Sequence, residues 1–279
     1  MLRGPSIILL VAMGVSSPAT GYVRTTTQVG EPISWPDACV PFHLHQAGSA
    51  DVSFGKVLAA FRNALEAWEQ VACGGATLDY QGVTDVSWTG FRKDAPNVNV
   101  VVFREDPSEW VFAPSAFAVT TVTYCENLSG GCTYLGQIRD TDIEVNGAFW
   151  EFTADLAGAP PRVDLENTLA HEVGHALGLA HSPTEGATML KDAAPGDTSK
   201  RSLHADDIAG VCDIYPRDDA ATCAPYPVEG DYFAPAREAD AGAAGGASPG
   251  DGGCSVSPRS VSPLWLLLLA TFARRRRQG

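Results

Sequence analysis

The sequence predicts an α+β domain built around one twisted sheet. Three observations predict it: a strongly amphipathic helical segment comes first, several β-rich segments follow, and two further helical segments close the domain. Hydrophobic residues make up 45% of the 279 residues, which is enough for a sizeable core. The predicted domain covers residues 22–216.

The first helix is predicted within residues 51–72. Apolar side chains recur there at helical spacing, so they fall on one face and predict a helix that packs against the core. These side chains are Phe54, Val57, Leu58, Phe61, Leu65 and Trp68.

The middle of the domain is predicted to form β-strands. Residues 98–103 are rich in β-branched side chains, residues 116–124 form a second β-rich run, and residues 137–146 alternate imperfectly between apolar and polar positions. A second helix is predicted over residues 165–177, and a third begins near Ala205. The sequence therefore places its strands between its first and second helices.

Both ends of the chain read as targeting segments. Residues 1–21 have an arginine, a short apolar run and small residues at their end, as a secretory signal does, although a buried first strand or helix would show a similar run. Residues 217–253 are rich in Ala, Gly, Pro, Asp and Glu, which predicts a disordered linker. Residues 254–279 contain an apolar run shorter than the roughly 20 residues of a membrane span, followed by four arginines.

This last segment resembles the C-terminal sorting tags of myxobacterial surface proteins. The resemblance rests on Cys254 after two glycines, a spacer, the short apolar run and the arginine cluster. It implies processing and lipid attachment near Cys254, with display on the outer membrane of the cell surface or release to the exterior. A conventional tail anchor is the alternative.

Six cysteines remain when Cys254 is set aside, and an even number in a secreted chain favours disulfides. Proximity in sequence suggests the pairs Cys125–Cys132, Cys212–Cys223 and Cys39–Cys73, one of 15 possible connectivities. The net charge of −14 argues against nucleic acid as a partner, because phosphate binding needs a basic surface. We predict a monomer.

The chemistry of the chain is concentrated in one stretch, LAHEVGHALGLAHS. On a helix His171 and His175 stand one turn apart on the same face, where both imidazoles can bind one metal ion. Gly178 can end the helix in a left-handed conformation and bring His181 back as a third ligand. Zinc prefers four ligands, so a catalytic site with one open position is predicted.

Glu172, next to the first ligand, is predicted to be the catalytic residue. Its carboxylate can take a proton from a zinc-activated water and return one to the leaving amine, which together make a peptide-bond hydrolase. The alternative from another class is a noncatalytic adhesion or binding module that holds a structural zinc.

The stretch from His171 to His181 fits HExxHxxGxxH and so resembles the metzincin zinc proteases. Ser182 after the third histidine and the closing LHADDIAGVCDIYP are most similar to the matrixin family. The resemblance spans residues 33–216, but only residues 165–216 carry specific motifs. It implies a zinc endopeptidase acting on extracellular proteins or peptides.

The matrixin resemblance also implies the surroundings of the site. The sheet would be mostly parallel, with residues 116–122 as an antiparallel edge strand that pairs with substrate and residues 138–146 as the next strand. Met189 would form an apolar floor beneath the metal, and Asp206 or Asp207 would brace the loop around it. Because no histidine lies between His45 and His171, the structural zinc of many matrixins is not expected.

Two further metal hypotheses come from smaller clusters. Asp140, Asp142 and Glu144 could supply oxygens to calcium, although a solvated strand face is the favoured interpretation. His43 and His45 alternate and could share one side of a strand, which leaves a second metal site open.

Overall fold

The computed structural model describes residues 21–92, 97–155 and 162–217. Most of the predicted signal, nearly all of the linker, the sorting tag, Cys223 and Cys254 lie outside these residues. Within the described residues no helix has the length and apolar character needed to cross a membrane.

The fold is mixed α+β, as predicted. Its elements in chain order are β1 Val23–Arg24, β2 Cys39–His45, α1 Phe54–Glu69, β3 Thr77–Thr84, β4 Val100–Phe103, β5 Ala118–Tyr124, β6 Ile138–Val145, β7 Phe152–Thr153, β8 Val163–Asp164, α2 Leu165–Ala176, β9 Leu179–Ala180, a 3₁₀ turn Ser199–Arg201 and α3 Ala205–Ile214. The predicted first helix is shorter at both ends, and the other predicted strands and helices lie within two residues of their expected bounds.

Five strands form the main sheet in the order β3-β2-β4-β6-β5. The pairs β2–β3, β2–β4 and β4–β6 are parallel, whereas β5 runs antiparallel to β6 at the edge. The mostly parallel sheet with an antiparallel edge strand is therefore confirmed. Strand β3 was not predicted, because most of its residues are only half buried and Gly82 interrupts it with a φ of 108°.

Helices α1 and α2 share one apolar core with the sheet. Phe61 and Trp68 of α1 are fully buried, and the Trp68 indole Nε1 donates to the carbonyl of Ala170 in α2 (2.9 Å). This buried hydrogen bond fixes the position of α1 along α2, the helix that carries the HExxH motif. A smaller cluster of Val86, Val98, Val100 and Val102, packed by Trp88, lies apart from this core.

Two disulfides are described in full, and they correct part of the predicted pairing. Cys125–Cys132 is confirmed, but Cys73 bonds Cys212 and not Cys39, so the predicted Cys39–Cys73 and Cys212–Cys223 pairs are wrong. Cys73 follows α1 and Cys212 lies in α3, so elements 139 residues apart are joined and proximity in sequence was no guide. Cys39 is also disulfide-bonded, as expected.

Candidate metal centre

Helix α2 presents the first two histidines. Asp164 caps it, accepting a hydrogen bond from the Asn167 backbone N–H (2.8 Å), and Arg201 forms an ion pair with the same carboxylate. An N-cap of this kind satisfies one of the unpaired N–H groups of the first turn. The helix start is therefore fixed two turns before His171, which sets the direction in which the histidines point.

The chain turns back immediately after α2, at the predicted glycine. Gly178 has a φ of 97°, and a Cβ there would lie 2.8 Å from the carbonyl oxygen of Ile33, so the position needs glycine for both conformation and space. Strand β9 then pairs antiparallel with β1. The next residue is His181, which this turn brings back toward the histidines of α2.

The three imidazoles converge on one point. Their ligand atoms all lie within 4.8 Å of one another, and Nε2 of His175 lies 3.2 Å from Nε2 of His181. Two nitrogens bound to one tetrahedral zinc at 2.0–2.1 Å would lie about 3.3 Å apart. The His175–His181 pair therefore already has the spacing of two nitrogens on one ion, and the His171 nitrogen lies close to both.

Hydrogen bonds fix which nitrogen of each helix histidine is available to bind a metal. His171 Nδ1 lies 2.6 Å from the carbonyl oxygen of Thr188, and His175 Nδ1 lies 2.8 Å from that of Leu179. A carbonyl oxygen only accepts, so both Nδ1 atoms carry the proton and both Nε2 atoms keep a lone pair. Carbonyl partners of this kind hold metal-binding histidines in one orientation.

The environment also keeps the imidazoles neutral. Burial lowers the pKa of His171 and His175, and burial followed by the nearby His175 lowers the pKa of His181 to about 4. A metal needs the unprotonated ring nitrogen. The three imidazoles thus lie close together in an environment that favours the neutral form that metal binding requires.

Glu172 lies beside this cluster with only 5% of its surface exposed. Burial raises the pKa of its carboxyl group to about 7, while a hydrogen bond donated by the Thr120 hydroxyl to Oε2 (2.6 Å) opposes that rise. A carboxylate with a pKa near neutrality is suited to both accept and release a proton. Thr120 belongs to β5, so the edge strand itself positions this side chain.

Met189 packs against α2 as the matrixin resemblance implied. It is buried, and a Cβ added at Gly174 would lie 2.2 Å from its Sδ atom. Asp207 holds the loop around it, accepting hydrogen bonds from the backbone N–H groups of Thr188 (2.7 Å) and Met189 (3.0 Å). Since Thr188 supplies the carbonyl oxygen that orients His171, the hydrogen bonds of Asp207 help to position this candidate ligand.

A cavity of about 790 Å³ lies in front of the cluster. Residues 116–120, Val122 and Tyr124 line it from the β5 side, and α2 and residues 191–193 line it from the other. It also contacts three buried polar residues that no sequence pattern indicated: Asn167, Thr168 and Lys200. A lone lysine in a polar loop gives no sequence signal for such a position.

The structure does not support the two further metal sites considered from the sequence, the acidic cluster of residues 140–144 and the pair His43 and His45. Asp140, Asp142 and Glu144 are buried, with 1%, 1% and 5% exposed, so the interpretation as a solvated strand face is wrong. Asp142 accepts from the Val100 backbone N–H, and Glu144 pairs with Arg104, which occupies oxygens that calcium would need. Within the described residues the only group of three or more potential ligands is the histidine cluster, and it contains neither His43 nor His45.

Comparison with known proteins gives one family match. The family model for matrixin matches residues 34–216, close to the span over which the resemblance was expected. Similar proteins include Metalloendoproteinase 1-MMP of Arabidopsis thaliana (45% identical over 67 residues, 24% of this chain and 18% of that protein) and neutrophil collagenase of Homo sapiens (54% over 46 residues, 16% and 10%).

A longer match is Matrix metalloproteinase-19 of Mus musculus, which is 34% identical over 122 residues. The match covers 43% of this chain and 22% of the mouse protein. The chain thus spans less than a quarter of the length of these three relatives.

Proposed function

The chain belongs to the matrixin family, and on that premise we propose that it is a zinc-dependent endopeptidase that cuts peptide bonds of extracellular proteins. The observation that carries the proposal is the convergence of His171, His175 and His181 on one point beside the buried carboxylate of Glu172. A zinc ion held there would supply a Lewis acid that polarises the substrate carbonyl and acidifies water.

The residues of the chain have distinct parts in this reaction. The Nε2 lone pairs of His171 and His175 and one ring nitrogen of His181 would hold the ion. Glu172 accepts a proton from the attacking water as the new C–O bond forms, and then donates a proton to the amine as the C–N bond breaks. Thr120 keeps the carboxylate of Glu172 aimed at the cavity through its hydrogen bond (2.6 Å).

Substrate alignment is assigned to the edge strand β5. It is the last strand in the order of the main sheet, where its one neighbour is β6, and it lines the cavity. An extended peptide can add to such an edge through backbone hydrogen bonds, which bind many sequences equally well. This geometry favours an endopeptidase with broad backbone recognition and a separate determinant of specificity.

The ends of the chain suggest where the enzyme works. We propose secretion directed by residues 1–21 and anchoring at the cell surface through residues 254–279, with Cys254 as the lipid acceptor. Two described disulfides support an oxidising compartment.

The test uses the purified full chain and a quenched fluorescent peptide library. We expect about one zinc per chain, hydrolysis that a chelator abolishes and zinc restores, and a loss of about 10²–10⁴-fold in kcat/KM for Glu172→Gln. The matched control is Glu166→Gln, the same change in the first turn of α2, where the side chain bonds Asn63. Zinc retention without hydrolysis in the wild type would favour the noncatalytic binding module instead.

A further inference from the structure

The cavity beside the histidine cluster contains a buried cation. Lys200 lines the cavity and is only 3% exposed, in contrast to Lys191 and Asp192, which line the same cavity but are exposed. Lysine is rarely buried to this extent, because desolvating an ammonium is costly unless it is paired. Its position therefore needs an explanation.

Protein contacts use only part of the hydrogen-bonding capacity of Lys200. Its Nζ donates to the carbonyl oxygen of Leu190 and lies 3.4 Å from Nδ1 of His171. That ring nitrogen already donates to Thr188, so it offers no lone pair to the ammonium. Among the described residues no carboxylate oxygen lies within 4.0 Å of Nζ, and an ammonium has three donors.

A second polar side chain lines the same cavity. Asn167 is also buried and lines the cavity, and its Oδ1 accepts a hydrogen bond from the Lys200 backbone N–H (2.7 Å). This bond assigns the amide, so the NH₂ group is its remaining end. An ammonium and an amide NH₂ group that line one cavity are both suited to bind a carboxylate.

The position of Lys200 relative to the histidine cluster indicates which part of a substrate would contact it. Lys200 Nζ contacts the imidazole of His171 on the side opposite its metal-facing nitrogen, so one ring separates the two. Lys200 lines the same cavity as His171, Glu172 and His181, so a substrate side chain that enters this cavity belongs to a residue near the bond to be cut.

We propose that Lys200 and Asn167 form a specificity pocket for an acidic side chain next to the scissile bond, so that glutamate-containing sequences are the preferred substrates. The inference rests on the proposed endopeptidase function. Exposed Lys191 and Asp192 have opposite charges and contribute little net preference, whereas the desolvated ammonium distinguishes a carboxylate from an apolar side chain of similar size.

The experiment uses the full chain, loaded with zinc, and matched peptides that carry Glu, Gln, Leu or Lys on either side of the scissile bond. For the wild type we expect kcat/KM for the Glu peptide to exceed that for the Leu peptide by about tenfold or more, with Lys the poorest. Lys200→Met should reduce this Glu/Leu ratio to near one, and Lys200→Arg should retain a preference for Glu. The ratio is independent of how much active enzyme each preparation contains.

Lys191→Met is the matched control, because it removes an exposed cation from the same cavity; the Glu/Leu ratio should persist. A wild type that cleaves Leu peptides as well as Glu peptides overturns the inference but leaves the proposed function intact, and that measurement does not depend on any variant folding. Loss of the ratio in Lys191→Met, or its persistence in Lys200→Met, also overturns the assignment to Lys200. If no peptide in a broad library is cut, the proposed function fails and this inference fails with it.

Discussion

The protonation of single side chains decides whether the candidate centre can act. His171 and His175 each commit Nδ1 to a carbonyl oxygen, which leaves Nε2 for a metal. Glu172 is held between burial, which raises the pKa of its carboxyl group, and the Thr120 hydroxyl, which lowers it. The balance between these two effects sets the pH at which a proton can be accepted.

Removal of the Thr120 hydroxyl tests this balance. In Thr120→Val the pKa of Glu172 rises, because a hydrogen bond to the charged form is lost. A general base must be deprotonated, so activity is lost below its pKa and the acidic limb of the kcat/KM profile should move to higher pH. We expect a several-fold loss near pH 6 and a smaller loss near pH 8.

The control for this pH profile is Thr121→Val on the next residue of β5, whose side chain projects to the opposite face of the strand. An acidic limb that stays at the same pH in Thr120→Val would contradict the role given to this hydrogen bond.

Residues differed in how far the sequence could predict them. The spacing of His171, Glu172 and His175 follows from helix geometry, and Gly178 follows from its conformational freedom, so both were predictable. Thr120 and Lys200 reach the site through strand pairing and loop packing across 52 and 29 residues, respectively. No local pattern records such contacts.

At the level of elements, the site depends on close packing between α2 and the loop that carries Met189. Gly174 is the point of contact, since a Cβ there would lie 2.2 Å from Met189 Sδ and 2.8 Å from Trp68 Cζ2. The helix propensity of glycine is poor. Its presence inside α2 is therefore explained by space.

Two glycine-to-alanine substitutions distinguish the effect of limited space around the residue from the effect of helix propensity. Gly174→Ala should lower the free energy of unfolding by about 1–3 kcal/mol through overpacking and weaken zinc retention. Gly55→Ala in α1, where a Cβ meets nothing within 4 Å, should instead stabilise by about 0.5 kcal/mol. Chemical denaturation and competition with a chelator measure both effects, and equal outcomes for the two variants would contradict the packing argument.

The elements themselves were predictable to different degrees. Helices α1 and α2 and strands β4, β5 and β6 follow from apolar periodicity and β-branched runs. The two-residue strands and β3 do not, because their pairing depends on partners distant in sequence; β1, for example, pairs with β9. Length and periodicity give a signal only where a segment is long enough to repeat.

A buried acidic pair on β6, Asp140 and Asp142, makes the free energy of unfolding of the molecule depend on pH. Burial, and then the neighbouring Asp142 carboxylate, raise the pKa of Asp140 to about 8. The folded protein therefore keeps a proton on this pair at neutral pH that the unfolded chain, with its ordinary pKa of 3.8, releases. The stabilising contribution is complete below about pH 4 and is lost as the pH rises to about 8.

Asp140→Asn tests this contribution, since asparagine stays neutral. We measure the free energy of unfolding of the variant minus that of the wild type. This difference should be larger at pH 8 than at pH 5, by more than about 1 kcal/mol. Asp213→Asn, at a half-exposed ion pair with Arg24, is the control and should show a much smaller change with pH. A difference between Asp140→Asn and wild type that is the same at both pH values would contradict the shared proton.

The most direct test of the whole account is zinc K-edge X-ray absorption on the purified full chain. We expect about one zinc per chain, bound by three imidazole nitrogens and one oxygen at about 2.0–2.1 Å, with the nitrogen count falling in His181→Ala. A sulfur ligand at about 2.3 Å, or a gently purified protein that binds no zinc, would contradict it.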